Sequence, residues 1–224
     1  MIEYLVPSNI DDRILRKAAS LLAEGGLLAL PSDTSWSLVC SSRSREGIAR
    51  LRKLSGEREE RRFTLLCSGI SQFGEYCSLD NSRFRLIRRL SPGPYVFILR
   101  TLGGTEKALG LRRPELGVRI PGHPVAPALI GTLGLPLYSV TAKRSMTRAA
   151  PRAEPWAEPW AEPWAAPLAL EEDLFEGGWE LEAISSLDLI LDPGEDQRRL
   201  FSTILDLSGD EVHLVRGGAG PWPA

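Results

Sequence analysis

This chain has little of what most side-chain chemistry is built from. Of 224 residues only two are histidine, His123 and His213, so no histidine-centred triad is on offer. There are three cysteines, Cys40, Cys67 and Cys77. Odd in number and without metal-ligand spacing, they read as buried thiols in a reducing cytoplasm. Apolar runs are short, and none approaches the roughly 20 residues a membrane-spanning helix requires. The opening Met1-Ile-Glu-Tyr-Leu-Val-Pro lacks a basic stretch followed by an apolar one and a small-residue cleavage site, which argues against secretion. The glycine pairs Gly25-Gly26, Gly103-Gly104 and Gly217-Gly218 lack the spacing of a phosphate-cradling or dinucleotide loop and read as turns. Aromatic residues are 7% of the chain and are not interleaved with basic ones as in RNA-binding modules.

What remains is an ordinary globular composition, 43% hydrophobic and 25% charged, long enough to bury a substantial core. The net charge of −2 conceals an uneven distribution. Residues 43–148 carry 20 Lys and Arg against 8 Asp and Glu, whereas residues 149–224 carry 4 against 16. A basic middle attracts nucleotide phosphates or a nucleic-acid backbone. Equally, the two portions can neutralise one another across the folded surface.

Periodicity divides the chain into alternating elements. Asp11-Asp12 precede a helical pattern carrying Ile14, Leu15, Ala18, Leu21 and Leu22, which Gly25-Gly26 end. Leu27 to Leu30 is strand-like, and Trp36 to Cys40 continues or pairs with it. A second helix spans about Ser44 to Leu54, and Phe63 to Cys67 reads as a buried strand. Asp80-Asn81 cap a third helix with Phe84, Ile87 and Leu90 on one face and Arg85, Arg88 and Arg89 on the other. Tyr95 to Leu99 and Val118 to Ile120 are strands, followed by a helix from about Pro124 to Leu133. Leu137 to Val140, Leu187 to Leu191, Thr203 to Leu207 and Val212 to Val215 complete the strands. This irregular alternation predicts one α/β (α+β) domain over residues 1–224, built on a mixed sheet. Three copies of Ala-Glu-Pro-Trp at 153–164 stand apart. Proline every fourth residue blocks a helix and removes ladder donors, so about 151–167 reads as a polyproline-like or turn-rich surface insertion. Its tryptophans could cover the domain, close a cleft or bind a partner; repeat slippage without a role is the plain alternative.

Two distant segments look like halves of one pocket. Leu27-Leu-Ala-Leu-Pro31-Ser-Asp33-Thr34 ends an apolar run in a polar turn. Phe201-Ser202-Thr203-Ile-Leu-Asp206-Leu is followed by Val212-His-Leu-Val-Arg216-Gly-Gly. Each reads as a buried strand delivering small hydroxyls, and in the second case an arginine, to its tip. Such groups suit a small anionic ligand. Between them lie Ser91-Pro-Gly-Pro-Tyr-Val-Phe-Ile-Leu99 and Gly117-Val-Arg119-Ile-Pro-Gly-His123-Pro-Val-Ala126.

The order and spacing of these four segments resemble the YrdC family of threonylcarbamoyl-adenylate synthases, and its YciO branch more closely. The resemblance covers about residues 20–148 and 185–221. It implies a twisted, mostly open mixed sheet flanked by helices, with a deep cleft. It further implies a reaction joining ATP, L-threonine and bicarbonate, with Mg²⁺ screening the triphosphate, upstream of a tRNA adenosine modification. No covalent nucleophile is needed, because this is positioning chemistry. Thr34 matches the family's threonine-binding hydroxyl, and Arg119 the arginine that holds the amino acid's carboxylate as a bidentate pair. Ser202 and Thr141 match further hydroxyls, and Arg216 matches an arginine that contacts nucleotide.

The chain also departs from that pattern. Where the family has Lys-x-Arg-Pro, this sequence reads Ser55-Gly56-Glu57-Arg58, so Lys53, Arg58, Arg61 or Arg62 would have to supply the charge. The family's Ser-x-Asn becomes Thr141-Ala142-Lys143, and Lys143 could reach phosphate. A usual histidine falls at Leu66, and Val-Tyr-Gly-Leu-Gly becomes Ser35-Trp36-Ser37-Leu38-Val39. Three readings follow: a cytoplasmic synthase; a YciO-like paralogue that binds nucleotide, tRNA or double-stranded RNA with little turnover; and an interaction protein recruiting partners through Ala-Glu-Pro-Trp. An RNA role would fall to the Arg83–Arg89 helix and the Arg50–Arg62 segment.

Overall fold

The computed structural model describes residues 1–55, 63–105, 109, 114–147 and 171–222. Glu57, Arg58, Arg61, Arg62 and the Ala-Glu-Pro-Trp segment lie outside the described residues. Ten strands form one sheet: β1 (Ile2–Tyr4), β2 (Leu28–Leu30), β3 (Ser37–Ser41), β4 (Thr64–Leu66), β5 (Tyr95–Arg100), β6 (Glu115–Arg119), β7 (Leu137–Thr141), β8 (Leu189–Asp192), β9 (Thr203–Asp206) and β10 (His213–Arg216). Their order across the sheet is β1-β8-β2-β3-β7-β4-β6-β5-β9-β10. Parallel pairs (β1/β8, β2/β8, β4/β6, β5/β9) alternate with antiparallel ones (β2/β3, β3/β7, β4/β7, β5/β6, β9/β10). The sheet is mixed and open, as expected. The three-residue strand β1 was not foreseen: so short an apolar–polar run carries no period of its own.

Helix α1 (Asp12–Ala23) begins where the Asp11 carboxylate accepts from the Arg13 amide at 2.8 Å. It ends at Gly25, whose φ of +90° only glycine adopts without strain. Helix α2 (Arg45–Ser55), the short α3 (Ile70–Phe73), α4 (Asn81–Leu90) and α5 (Val125–Leu133) follow. Pro124 sits at the cap of α5 rather than inside its first turn. On α4 the expected apolar face is only partly used. Ile87 is fully buried, but Phe84 is 41% exposed.

Strand alternation splits the core between the two faces. One face carries Ala29, Leu38, Cys40, Leu65, Val118, Phe97 and Tyr138, packed with Leu51 of α2, Ile87 of α4 and Leu181. The other carries Leu28, Leu30, Val39, Leu66, Leu137 and Leu189, packed with Leu15, Ala18 and Leu22 of α1 and with Val125 and Leu129 of α5. Each large apolar side chain so buried contributes about 1.5–3 kcal/mol. Trp36 is completely buried and still donates its indole N–H to the Glu176 carbonyl at 3.0 Å. All three cysteines are buried free thiols. Burial pushes Cys40 and Cys77 up to about 12, and Cys67 further, so none is a thiolate at neutral pH.

The N-terminus of α4 is pinned by Asp80, which accepts from the amides of Ser82 at 2.9 Å and Arg83 at 2.8 Å and pairs with the Arg83 guanidinium. These bonds lower its carboxyl to about 2, the amide of Arg83 foremost. A carboxyl depressed on folding stabilises the folded state above its unfolded value, and that benefit disappears as pH falls toward the folded one. Asp80→Ala should therefore lower the melting temperature at pH 7, with the deficit shrinking between about pH 4 and pH 2. A deficit independent of pH in acid melts would refute the cap.

Candidate functional site

The second face of the sheet is itself divided. On this face β3, β4 and β7 carry Val39, Leu66 and Leu137, packed with α1 and α5. The same face also carries Ser37, Thr64, Ser139 and Thr141. Register makes these neighbours, Ser37 opposite Thr141 and Thr64 opposite both Ser139 and Gly117. Gly117 leaves the strip low: a Cβ there would already stand 3.4 Å from Val96 and 3.8 Å from the Thr64 hydroxyl. A strip of hydroxyls and a glycine thus continues the apolar face. Its signal was present as Ser37-x-Val39, Thr64-x-Leu66, Ser139-x-Thr141 and Gly117-x-Arg119, period-two patterns whose second member changes character.

Arg119 ends β6 on this face, level with Leu66. It is 5% exposed, and its donors reach three segments. Nε donates to the Gly93 carbonyl at 3.3 Å. The two terminal nitrogens converge on Thr34 Oγ1, both at 3.2 Å. One of them also donates to Ser202 Oγ at 2.5 Å, the other to Asp33 Oδ1 at 2.6 Å. Five N–H groups meet five acceptor contacts, which is all a guanidinium has. Burial lowers the Arg119 pKa and the ion pair with Asp33 opposes the shift, so the side chain stays cationic. The bidentate grip on a ligand carboxylate expected of Arg119 would have to displace one of these partners.

Thr34 reaches Arg119 because the connection 31–36 folds across the face. β2 lies four places from β6 in the sheet, and the accumulated twist of about 20° per neighbour brings the loop over. The loop is braced internally. Ser32 Oγ donates to the Ser35 carbonyl at 2.7 Å, accepts from the amides of Thr34 and Ser35, and lies 3.1 Å from Thr34 Oγ1. With the Ser32 proton committed, Thr34 is the donor in that last contact. The Leu200 amide then donates to the Thr34 carbonyl at 3.1 Å, tying the loop to the approach to β9.

Ser202 stands just before β9, not at a strand's far tip, and β10 is an exposed edge rather than a buried strand, Leu214 being 49% exposed. Arg216 at its end turns inward. Its Nε and one terminal nitrogen donate to the Ser202 carbonyl at 3.2 and 2.9 Å, and its guanidinium carbon lies 4.9 Å from the centre of the Phe201 ring. Burial and the nearby Arg119 charge lower its pKa to about 10, leaving it cationic at neutral pH. Lys143 lies 6.0 Å from the same ring. Arg119 thus bonds to both Thr34 and Ser202, Arg216 adjoins them through Ser202, and Lys143 adjoins Phe201. Thr141 shares the face through Ser37. Lys53 is exposed in the last turn of α2, where no contact joins it to this cluster among the described residues. Leu66 lies beside Arg119 but is buried in the apolar half and offers no hydrogen bond.

Asp33, Gly93 and Phe201 were not anticipated as site residues. Asp33 was adjacent to a named one, and the acidic partner every buried guanidinium requires was the missed signal. On the basic surface, Arg50 is committed to the carbonyls of Gly25 and Ser186 and to Asp188 at 2.8 Å. Arg85, Arg88 and Arg89 are exposed on α4.

A family model for Sua5, YciO and YrdC proteins, described as telomere recombination, matches residues 20–165. The chain belongs to that family. The uncharacterized protein YciO of Escherichia coli K12 is 31% identical over 139 residues, spanning 62% of this chain and 68% of YciO. The threonylcarbamoyl-AMP synthase of Halorhodospira halophila is 32% identical over 137 residues, 61% of this chain and 72% of that protein. The crystal structure of E. coli YciO superposes with a TM-score of 0.79 at 25% identity, covering 99% of this chain and 97% of that one. The fold also matches P. abyssi Sua5 complexed with L-threonine, at a TM-score of 0.77 and 19% identity over 97% of this chain and 57% of that one. No helix among the described residues is long and apolar enough to cross a membrane.

Removing Arg119 alone would leave Asp33 buried without its counter-charge. Arg119→Met should cost about 3 kcal/mol, the low end for a broken buried pair because the Asp33 side chain is 20% exposed. The double change Arg119→Met with Asp33→Asn should recover part of that loss in denaturant melts. Additive losses would mean the two side chains do not act as a pair.

Proposed function

We propose that this protein is a cytoplasmic threonylcarbamoyl-AMP synthase: it joins ATP, L-threonine and bicarbonate and releases pyrophosphate and water, upstream of tRNA adenosine modification. The observation that carries this reading is the convergence of Arg119, Ser202 and Arg216, three cationic or hydroxyl groups from separate segments, on one hydroxyl-lined face. The reading is supported by relatives named for this synthase and by a fold shared with a Sua5 bound to L-threonine. The buried thiols fit a reducing compartment.

In the proposed reaction an oxygen of threonine carbamate attacks the α-phosphorus of ATP. The new P–O bond forms as the bond to the departing pyrophosphate breaks. No side chain needs to become covalently attached, so the residues' work is orientation and charge. Arg119 provides a fixed positive charge beside the amino acid, Ser202 a hydroxyl donor, and Arg216 with Lys143 a cationic approach for phosphate. Mg²⁺ on the triphosphate would screen its charge for the attack.

A second reading has its own support. The similarity to YciO extends over nearly the whole of both chains, and Leu66 beside Arg119 is apolar. In that reading the same cleft binds nucleotide, or an RNA chain along the α4 surface, with little turnover.

Incubation with ATP, labelled bicarbonate and L-threonine should give threonylcarbamoyl-AMP and pyrophosphate in equal amounts. Nucleotide binding with no product would favour the second reading. Arg216→Ala should weaken ATP binding at least tenfold while changing L-threonine affinity by less than threefold. Unchanged ATP affinity would remove Arg216 from the nucleotide site.

A further inference from the structure

Hydrogen-bond accounting at the cluster leaves an uneven remainder. Every Arg119 donor ends on a protein acceptor, and the Thr34 hydroxyl accepts from Arg119 while donating to Ser32. Ser202 Oγ accepts from Arg119, which leaves its own proton to give. Asp33 spends one carboxylate oxygen on Arg119. Its other oxygen, Oδ2, is buried and has no hydrogen-bond partner among the described residues. A buried carboxylate oxygen left unmatched is costly, and such exceptions call for an explanation.

The surroundings of Oδ2 narrow what would match it. The turn after β6 runs beneath it so closely that a Cβ at Gly122 would stand 3.2 Å away, a crowding that glycine avoids. His123, the next residue, is held below its usual pKa by burial, with Asp33 and Glu195 opposing, so at neutral pH it brings no second cation. The Arg119–Asp33 pair is neutral as a whole. A lone buried arginine would favour a simple anion. A neutral pair with a spare acceptor and a neighbouring hydroxyl donor favours a ligand that is itself neutral overall and carries both signs.

We propose that Asp33 Oδ2 receives the α-ammonium of a zwitterionic amino acid whose carboxylate faces the Ser202 hydroxyl, making Asp33 the residue that selects a free amine. This rests on the reading of the cleft as an amino-acid site and adds its specificity. The first species bound is then the unmodified amino acid, not a ligand whose nitrogen is absent or already acylated.

The test compares L-threonine with its 2-hydroxy isostere, 2,3-dihydroxybutanoate of matching configuration, by calorimetric titration. Wild-type protein should bind L-threonine at least tenfold more tightly than the hydroxy acid. Asp33→Asn keeps an acceptor for Arg119 but cannot accept at the second position. It should weaken L-threonine at least tenfold and leave the hydroxy acid unchanged or tighter, since the site gains net positive charge. Ser202→Ala should weaken both ligands alike. Equal losses in Asp33→Asn would overturn the proposal, showing that Asp33 only braces Arg119. Equal affinities in wild type would overturn it without any variant, which keeps the test decisive should Asp33→Asn fold poorly. Wild-type protein that binds neither compound would sink the amino-acid reading itself, a different result from equal binding.

Discussion

The arrangement depends on keeping one guanidinium charged where water cannot reach it. Taking an arginine out of water costs several kcal/mol unless its donors are met and its charge is opposed. Arg119 solves this with Asp33 and Thr34 from the β2–β3 connection, Gly93 from the turn before β5, and Ser202 from the approach to β9. These partners lie 26 to 86 positions away in sequence. No local element could hold them together. The charge does so, because losing any one partner leaves part of it unmet, and the three segments are thereby fixed to one another.

The sheet makes that convergence possible in two ways. Its twist lets a loop from β2 lie over β6, which a flat sheet would keep well apart. Its second face sets hydroxyls of β3, β4 and β7 beside the apolar residues that pack with α1 and α5. Arg119 stands among them, level with apolar Leu66 and two residues on from Gly117. The low dielectric of the apolar half strengthens each bond Arg119 makes, and the hydroxyl half gives a polar ligand something to meet.

The sequence made the elements of the fold largely legible, because their periods and caps are local facts. Asp11 and Asp80 announce their helices, and Gly25 ends the first, each by bonds within a few residues. Strand order was not legible: nothing in β9 says that it pairs with β5 rather than with β8, its predecessor. At the site, Thr34, Arg119 and Ser202 could be picked out by resemblance, and they do touch. What resemblance did not reveal was who partners whom. Arg119 was expected to keep its fork for a ligand, whereas Asp33, one position before a named residue, occupies an arm of it. Phe84, assigned inward by period, faces outward: α4 is basic along most of its surface and meets the core through Ile87, with Leu86 and Leu90 packed partly buried beside it.

Charge within the cleft then sorts its proposed ligands by type. Arg119 is matched by Asp33, so that pair carries no net charge. Arg216 is not paired with a carboxylate among the described residues; a carbonyl and the face of Phe201 hold it instead. Neutral partners orient a cation without cancelling it, and Lys143 beside the same ring adds to the local potential. The low dielectric that costs Arg216 some of its basicity also extends its field. A polyanion is therefore drawn toward Arg216 and Lys143, while a zwitterion gains nothing from net charge there and is held instead by matching its two ends. In the proposed function an amino acid and a triphosphate would therefore lie side by side without competing, a distinction that rests on a single aspartate being next to one arginine and not the other.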